Sequence, residues 1–220
     1  MNALSLARTS IACCALALAQ GAAAAVLYQQ APADHTIDAN FIQADVFGAG
    51  TGFAGNQNAE NFSLGALSTV TGFGWFGTPV VDPADFVVRL FADPGDTPTT
   101  LAGSVQAVAT GLFDNFQEEV FEYRFTLAGS PLDLVGDYFL SVLLDAAPSG
   151  QPWWWLASND GEGSSLVRGV DSDPWIAEVP DLSLTVVGER VAANVPEPAT
   201  WSLLAIAAVA GLGRRGQARR

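Results

Sequence analysis

The stretch EVFEYRFTL, residues 119–127, decides the fold class of this chain. Every second position is apolar or aromatic: Phe121, Tyr123, Phe125 and Leu127. The positions between them carry the polar side chains of Glu122, Arg124 and Thr126. Because successive side chains of a strand point to opposite faces, this alternation predicts a β-strand with one buried and one solvated face.

The same period of two recurs along residues 26–194, and no segment there keeps a helical period. It is clearest in DYFLSVLLD (137–145), DLSLTVVG (181–188) and DFVVRLF (85–91). Weaker strand candidates lie at 41–47, 62–70, 73–77, 104–110, 153–158 and 165–168. The Gly/Asn-rich stretch 47–61 predicts a long surface loop. Eight to ten short strands separated by turns such as DPGDTP (93–98) predict an antiparallel β-sandwich, or its jelly-roll variant.

The chain begins with the pattern of a secretory signal. Arg8 precedes an apolar stretch at 11–18, and small alanine-rich residues follow, which predicts cleavage after Ala24 or Ala25. Both cysteines, Cys13 and Cys14, fall inside this segment. Residues 1–25 are therefore interpreted as a signal peptide, and the mature chain would carry no disulfide.

The chain ends with three segments in a fixed order. The first is the rigid, extended tetrapeptide Val195, Pro196, Glu197 and Pro198. An apolar helix is predicted at 200–213, slightly short of a bilayer core of about 30 Å. An arginine-rich tail at 214–220 follows, in which Arg214, Arg215, Arg219 and Arg220 would stop the helix on the cytoplasmic side. The sequence thus predicts a signal peptide at 1–25, an ectodomain at 26–194 and a terminal signal at 195–220.

This terminal order, paired with a signal peptide, is similar to the PEP-CTERM sorting signal of Gram-negative bacteria. The resemblance implies that residues 195–198 are recognised by an exosortase, a membrane protease of transpeptidase type. It also implies a transient anchor in the inner membrane, then placement at the cell surface or outside the cell, in bacteria that make exopolysaccharide or biofilm. In that setting the tetrapeptide is acted upon and catalyses nothing.

The charge of the chain argues against several functions. Between Asp34 and Glu197 there are 23 acidic residues, four arginines and no lysine, a formal charge of −19. Such a surface repels nucleic acid and anionic lipid. His35 is the only histidine, which argues against a histidine- and cysteine-bound zinc, a haem and a Ser–His–Asp triad. We therefore expect no enzyme and no resident cofactor.

Acidic loops leave two other interpretations open. The loops SNDGEGSS (158–165), DSDP (171–174) and DPGD (93–96) combine carboxylates with glycine or proline, so they can serve as structural calcium sites or as plain acidic turns. The pairs Glu118–Glu119 and Asp171/Asp173 keep a glycoside hydrolase as a third hypothesis, because such enzymes need two carboxyl groups at a suitable distance.

The triplet Trp153-Trp154-Trp155 is the most distinctive interior feature. On a strand the first and third indoles point one way and the second points the other. If Trp154 points inward, Trp153 and Trp155 form an exposed pair that can stack on sugar rings; otherwise both faces are covered, as large aromatic side chains favour. The expected function is an exported structural or interaction protein of the surface or extracellular matrix. Carbohydrate binding through Trp153 and Trp155, with exopolysaccharide as partner, is the alternative.

Overall fold

Strands make up almost all of the regular structure in the computed structural model. The model describes residues 24–32, 41–43, 45–46, 54–114, 117–145, 152–161, 163–178 and 180–191. The strands are β1 Ala25–Gln30, β2 Phe41–Gln43, β3 Asp45–Val46, β4 Ala54–Gly77, β5 Phe86–Phe91, β6 Thr99–Thr100, β7 Gly103–Phe113, β8 Glu119–Leu127, β9 Leu132–Asp145, β10 Trp154–Leu156, β11 Ser165–Val170, β12 Ile176–Glu178 and β13 Leu184–Arg190. One turn of 3₁₀ helix at Pro83–Asp85 precedes β5.

The chain separates into two compact units, Met1–Arg190 and Val191–Arg220, and the fold described below belongs to the first. Both predicted flanking helices, the signal peptide and the membrane helix at 200–213, lie outside the described residues, Ala24 and Ala25 excepted. Within the part of the chain that is described, no helix has the length and apolarity needed to cross a bilayer.

The described strands join into one large sheet in which nearly all neighbours are antiparallel. The short β3 is the exception, since it runs parallel to β9. The mainly β, antiparallel class predicted from the sequence is confirmed. Strand β8 covers the predicted segment 119–127, with Tyr123 and Phe125 buried and Arg124 exposed, as the alternation requires.

The 24-residue strand β4 connects the two arms of the sheet. Up to Leu64 it pairs with β9 and β11, whereas residues 72–77 pair with β8 and residues 68–74 with β13. The register with β9 shifts between Leu64 and Ser68, and the same antiparallel pairing resumes at residues 68–70, which also pair with β13. The first arm is thus built around β11, β9 and β5, the second around β13, β8 and β7, and the sheet is sandwich-like.

Side chains from both arms share one apolar core. Its buried members include Phe62, Leu64, Phe73, Trp75, Val88, Leu90, Tyr123, Phe125, Leu140, Val142, Leu184 and Val186. Phe62 of the first arm lies 6.0 Å from Phe73 of the second, measured between ring centroids. Trp75 stacks on Tyr123, and Phe86 meets both rings edge-on. Burial of these large side chains is the main favourable term for holding the arms together.

The prediction of a surface loop at 47–61 is wrong for residues 54–61, because the chain from Ala54 onward forms the start of β4. The polar composition led to this error, since Gln57, Asn58 and Glu60 are buried, and the side chains of Gln57 and Glu60 bond to groups far along the sequence. The Gln57 side-chain oxygen accepts a hydrogen bond from Arg168 at 2.9 Å. The Asn58 backbone carbonyl accepts a hydrogen bond from the Ser141 hydroxyl at 2.8 Å. Such partners are not visible in a local pattern.

Two glycines of β4 provide a test of how tightly the strands pack. A methyl group at Gly72 would overlap the backbone oxygen of Phe125 on β8, whereas one at Gly65 would meet nothing within 4 Å. We expect Gly72→Ala to lower the free energy of unfolding by about 1–3 kcal/mol, the usual cost of overpacking. Gly65→Ala, the matched control, should leave stability unchanged or raise it by about 0.5 kcal/mol. Urea unfolding measures both, and equal effects would contradict the described pairing of β4 with β8.

Candidate functional site

The indoles of Trp153 and Trp155 are both 0% exposed. Phe86 packs edge-on against Trp153 at 4.8 Å between centroids, and the Trp155 indole N–H donates to the Ser183 carbonyl at 2.8 Å. A saccharide cannot reach either ring. The interpretation of Trp153 and Trp155 as an exposed sugar-binding pair is therefore wrong, because these two side chains occupy the core face of β10.

Trp154 lies on the opposite face of β10 and is half-buried. Its backbone is fixed to the residue that follows β4, because Trp154 N–H donates to the Thr78 hydroxyl at 3.1 Å and Thr78 N–H donates to the Trp154 carbonyl at 3.0 Å. Gly77 permits this approach, since a Cβ there would stand 2.6 Å from both the Trp154 carbonyl oxygen and the Trp153 indole nitrogen. The main chain of Trp154 is thus fixed to Thr78.

A cleft of about 440 Å³ opens beside Trp154, where β4 ends and β8 and β10 begin. It is lined by residues 78–81, both glutamates 118 and 119, Pro152 and Trp154. Val81 is 70% exposed within it. The lining carries two carboxylates and no basic side chain, a formal charge of −2. The structure therefore brings the middle tryptophan of the triplet together with the Glu118–Glu119 pair, which the sequence analysis considered separately.

The ring of Trp154 differs from the other described tryptophans. Trp75, Trp153, Trp155 and Trp175 each contact another aromatic ring. Among the described residues, the Trp154 indole makes no ring–ring contact. Because Trp154 lines the cleft and its ring is not paired with another described aromatic ring, we take Trp154 as the candidate contact residue of this cleft.

A tight turn between β7 and β8 positions the two glutamates. Glu118 N–H donates to the Asp114 carboxylate at 2.7 Å, and Asp114 N–H donates back to the Glu118 carbonyl at 2.8 Å. Gln117 adopts φ 66°, a left-handed conformation that is uncommon outside glycine. Phe113, which is 51% exposed, is the register partner of Glu119 and so stands on the same face.

The loops 93–96 and 171–174, both predicted as calcium candidates, meet in a second cleft of about 700 Å³. Its floor holds an ion-pair cluster: Asp171 contacts Arg89 at 2.8 Å and Arg168 at 2.7 Å, and both arginines are buried. Desolvation pushes the pKa of Asp171 up, but the hydrogen bond and charge of Arg89, with the charge of Arg168, hold that pKa below its usual value. The Asp171 carboxylate is therefore bound by the two arginines.

Trp175 completes this cluster on the outer face of the sheet. The Arg168 guanidinium carbon lies 4.3 Å from the centroid of the Trp175 ring, and Trp175 stacks on Phe91 at 5.3 Å. Phe91 in turn stacks on Phe139 at 5.2 Å. The cluster thus fastens the 171–175 segment to β5 and β9, and the carboxylate pair Asp171/Asp173 serves at least in part as an ion-pair partner.

The third acidic loop, 158–165, is tied down by a buried carboxylate. Asp181 accepts hydrogen bonds from the N–H groups of Gly163 at 2.7 Å and Ser164 at 2.8 Å. Nearby, the carboxyl group of Glu60 is fully buried and accepts from Leu182 N–H at 2.6 Å. Burial raises the pKa of Glu60 to about 8, although the hydrogen bond from Leu182 acts in the opposite direction. Across the described ranges, no three acidic or histidine side chains gather into a set that could hold a metal ion.

The remaining predicted site residues lie outside the described residues. These are the sorting motif Val195, Pro196, Glu197 and Pro198, and the membrane-stop residues Arg214, Arg215, Arg219 and Arg220.

No model of a known protein family matches the chain, and no curated protein matches it either.

The ion-pair cluster predicts a large effect at Asp171. Asp171→Asn removes the negative charge that both buried guanidinium groups contact, so we expect the free energy of unfolding to fall by about 2–3 kcal/mol. This is below the roughly 3–5 kcal/mol of a fully buried pair because the Asp171 side chain is 37% exposed. The exposed neighbour Asp173 provides the control, and Asp173→Asn should change stability by about 0.5 kcal/mol or less. Equal urea-unfolding midpoints for the two variants would contradict the conclusion that Asp171 stabilises the fold by pairing with both Arg89 and Arg168.

The raised pKa of Glu60 predicts that the domain loses stability as the pH rises. Below about pH 4.5 the carboxyl group is protonated in both states; between about 4.5 and 8 the unfolded chain releases the proton while the folded chain keeps it. The free energy of unfolding should therefore fall through this window, by an amount on the order of a few kcal/mol from this group, and level off above it.

The variant Glu60→Gln, which resembles the protonated side chain, should remove this part of the slope in a pH series of urea unfolding. Glu189→Gln, at an exposed position on β13, is the control and should leave the slope intact. A slope in Glu60→Gln equal to that of the unsubstituted chain would refute the assignment.

Proposed function

We propose that this chain is an exported, non-enzymatic protein of the cell surface or extracellular matrix, sorted and processed by an exosortase-type membrane protease. The observation that carries the proposal is the order of its last 26 residues: the rigid Val195–Pro198 motif, then an apolar run, then an arginine cluster. Each part has a physical role. The extended motif is accessible to a protease, the apolar run holds the chain in the inner membrane, and the arginines remain on the cytoplasmic side.

The domain that would be delivered suits an extracellular setting. Its first compact unit ends at Arg190, shortly before the motif begins at Val195. We propose that the two arms of its sheet form the layers of a β-sandwich, supported by the single core to which both contribute. Both cysteines lie in the proposed signal peptide, so the mature fold would not depend on the redox state of its surroundings.

A structural or binding role is favoured over hydrolysis. Asp171 of one predicted carboxylate pair is bound to Arg89 and Arg168, which removes it from work as a general acid or base. The formal charge of −19 between Asp34 and Glu197 disfavours nucleic acid as a partner. Exopolysaccharide and matrix proteins remain as the partner classes of this proposal.

The sorting proposal predicts that the motif controls release. In the native host, the triple change Pro196→Ala/Glu197→Ala/Pro198→Ala should leave full-length chain in the membrane fraction, whereas the unsubstituted chain is shortened and reaches the surface or medium. Immunoblots of cytoplasmic, membrane and extracellular fractions measure this. Pro94→Ala, in an exposed turn of the domain, is the control and should be processed normally. Uncut chain in the cytoplasm of the unmodified host would refute export.

A further inference from the structure

We propose that the Trp154 cleft is a binding site for a neutral saccharide. This inference deepens the proposed function, since it names a ligand class for a protein of the extracellular matrix. The proposal rests on the cleft itself, which is lined by an indole with no aromatic neighbour in the part of the chain that the structure describes, by two prolines and by two carboxylates. Its volume of about 440 Å³ lies within the usual range of small-ligand sites, about 300–1,000 Å³.

The apolar half of the cleft matches the C–H face of a sugar ring. The flat indole of Trp154 has Pro79 and Pro152 as neighbours in the lining, and Val81 exposes most of its side chain there. The side chains of Pro79, Pro152 and Val81 offer no hydrogen bonds. Together with the face of the indole they suit the apolar face of a pyranose, which stacks on aromatic rings. Burial of that face against the indole supplies the favourable apolar contact.

The polar half of the cleft matches sugar hydroxyl groups. Carboxylates accept hydrogen bonds strongly, and Glu118 and Glu119 place two of them beside the indole. Their formal charge of −2 repels a uronic acid, a sulfate or a phosphate. Cationic ligands would be attracted, but prolines and valine would contribute little to binding a compact charge. A neutral, hydroxyl-rich ring uses both halves at once.

The site is also pre-organised. Two hydrogen bonds join the Trp154 main chain to Thr78, one to its hydroxyl and one from its N–H. The Thr78 carbonyl accepts a third from the buried Tyr123 hydroxyl at 2.6 Å. The Asp114 hairpin bonds fix Glu118 in the same way. Because the main chain around the contact residues is ordered in advance, little conformational entropy is lost when a ligand binds.

Affinity electrophoresis tests this proposal on the full chain, purified in a non-ionic detergent. Native gels would contain one of three neutral polysaccharides, hydroxyethyl cellulose, glucomannan or galactan, or the anionic alginate. We expect at least one neutral gel to retard the unsubstituted chain and alginate not to retard it. Trp154→Ala should weaken the retarding interaction by about tenfold or more, and Trp154→Phe, which keeps a flat ring, should retain most of it.

Two further variants separate the cleft from general surface effects. Ile176→Ala removes an exposed apolar side chain on β12, which does not line the cleft, and should bind like the unsubstituted chain. The double variant Glu118→Gln/Glu119→Gln should bind the neutral polysaccharide several-fold more weakly. Circular dichroism and thermal unfolding check that every variant is folded, and Trp154→Phe keeps the test informative if Trp154→Ala is not.

Several results would overturn the proposal: no retardation in any of the neutral gels, equal retardation of Trp154→Ala and the unsubstituted chain, or stronger retardation in alginate. The outcome is independent of sorting because it uses purified protein. A chain that binds but is never exported keeps the saccharide site and loses the sorting proposal. A chain that is exported but never binds a neutral polysaccharide keeps the sorting proposal and loses the saccharide site.

Discussion

The structure depends on the continuity of one strand, β4, whose backbone is shared by both arms of the sheet. Each backbone N–H and C=O that leaves water must find a partner, and β4 supplies partners to β8, β9, β11 and β13. A single strand can serve both arms only if its partner changes along its length, and β9, which pairs with β4 up to Val70, is replaced by β8 from Gly72 onward. Glycines where β4 runs between β8 and β13 then allow close approach, most strictly at Gly72.

The end of β4 links the core to the candidate site. Tyr123 is buried by the aromatic cluster of Trp75, Phe86 and Trp153, and its hydroxyl needs an acceptor once it has left water. The Thr78 carbonyl is that acceptor, and the Thr78 N–H and hydroxyl are the groups that hold Trp154. The main chain of the half-buried Trp154 is therefore linked through Thr78 to the packing of the core. Damage to this aromatic cluster would move the cleft even though none of its rings lines it.

The parts of this fold that could be predicted from the sequence are those determined by neighbours in the chain. The alternation in 119–127 is a local property, and β8 forms where it predicts a strand. The start of β4 was missed because its buried side chains of Gln57 and Glu60 accept hydrogen bonds from Arg168 and Leu182, which are distant in sequence. The tryptophan triplet shows the same limit, since a period of two predicts that its faces differ but not which face meets the core. The meeting of Trp154 with Glu118 and Glu119 likewise depends on strand pairing.

The acidity of the domain restricts how it can attach to anything. Some carboxylates are used inside the fold: Asp171 between two arginines, Asp181 on the 163–164 backbone, and Glu60 with its proton retained by burial. The exposed remainder gives a surface that attracts neither polyanions nor other copies of the chain through long-range forces. Under the proposal that the domain attaches to an extracellular matrix, attachment would come from short-range apolar contact and hydrogen bonds, which salt screens little. The Trp154 cleft offers both, because a half-buried indole and two carboxylates line it.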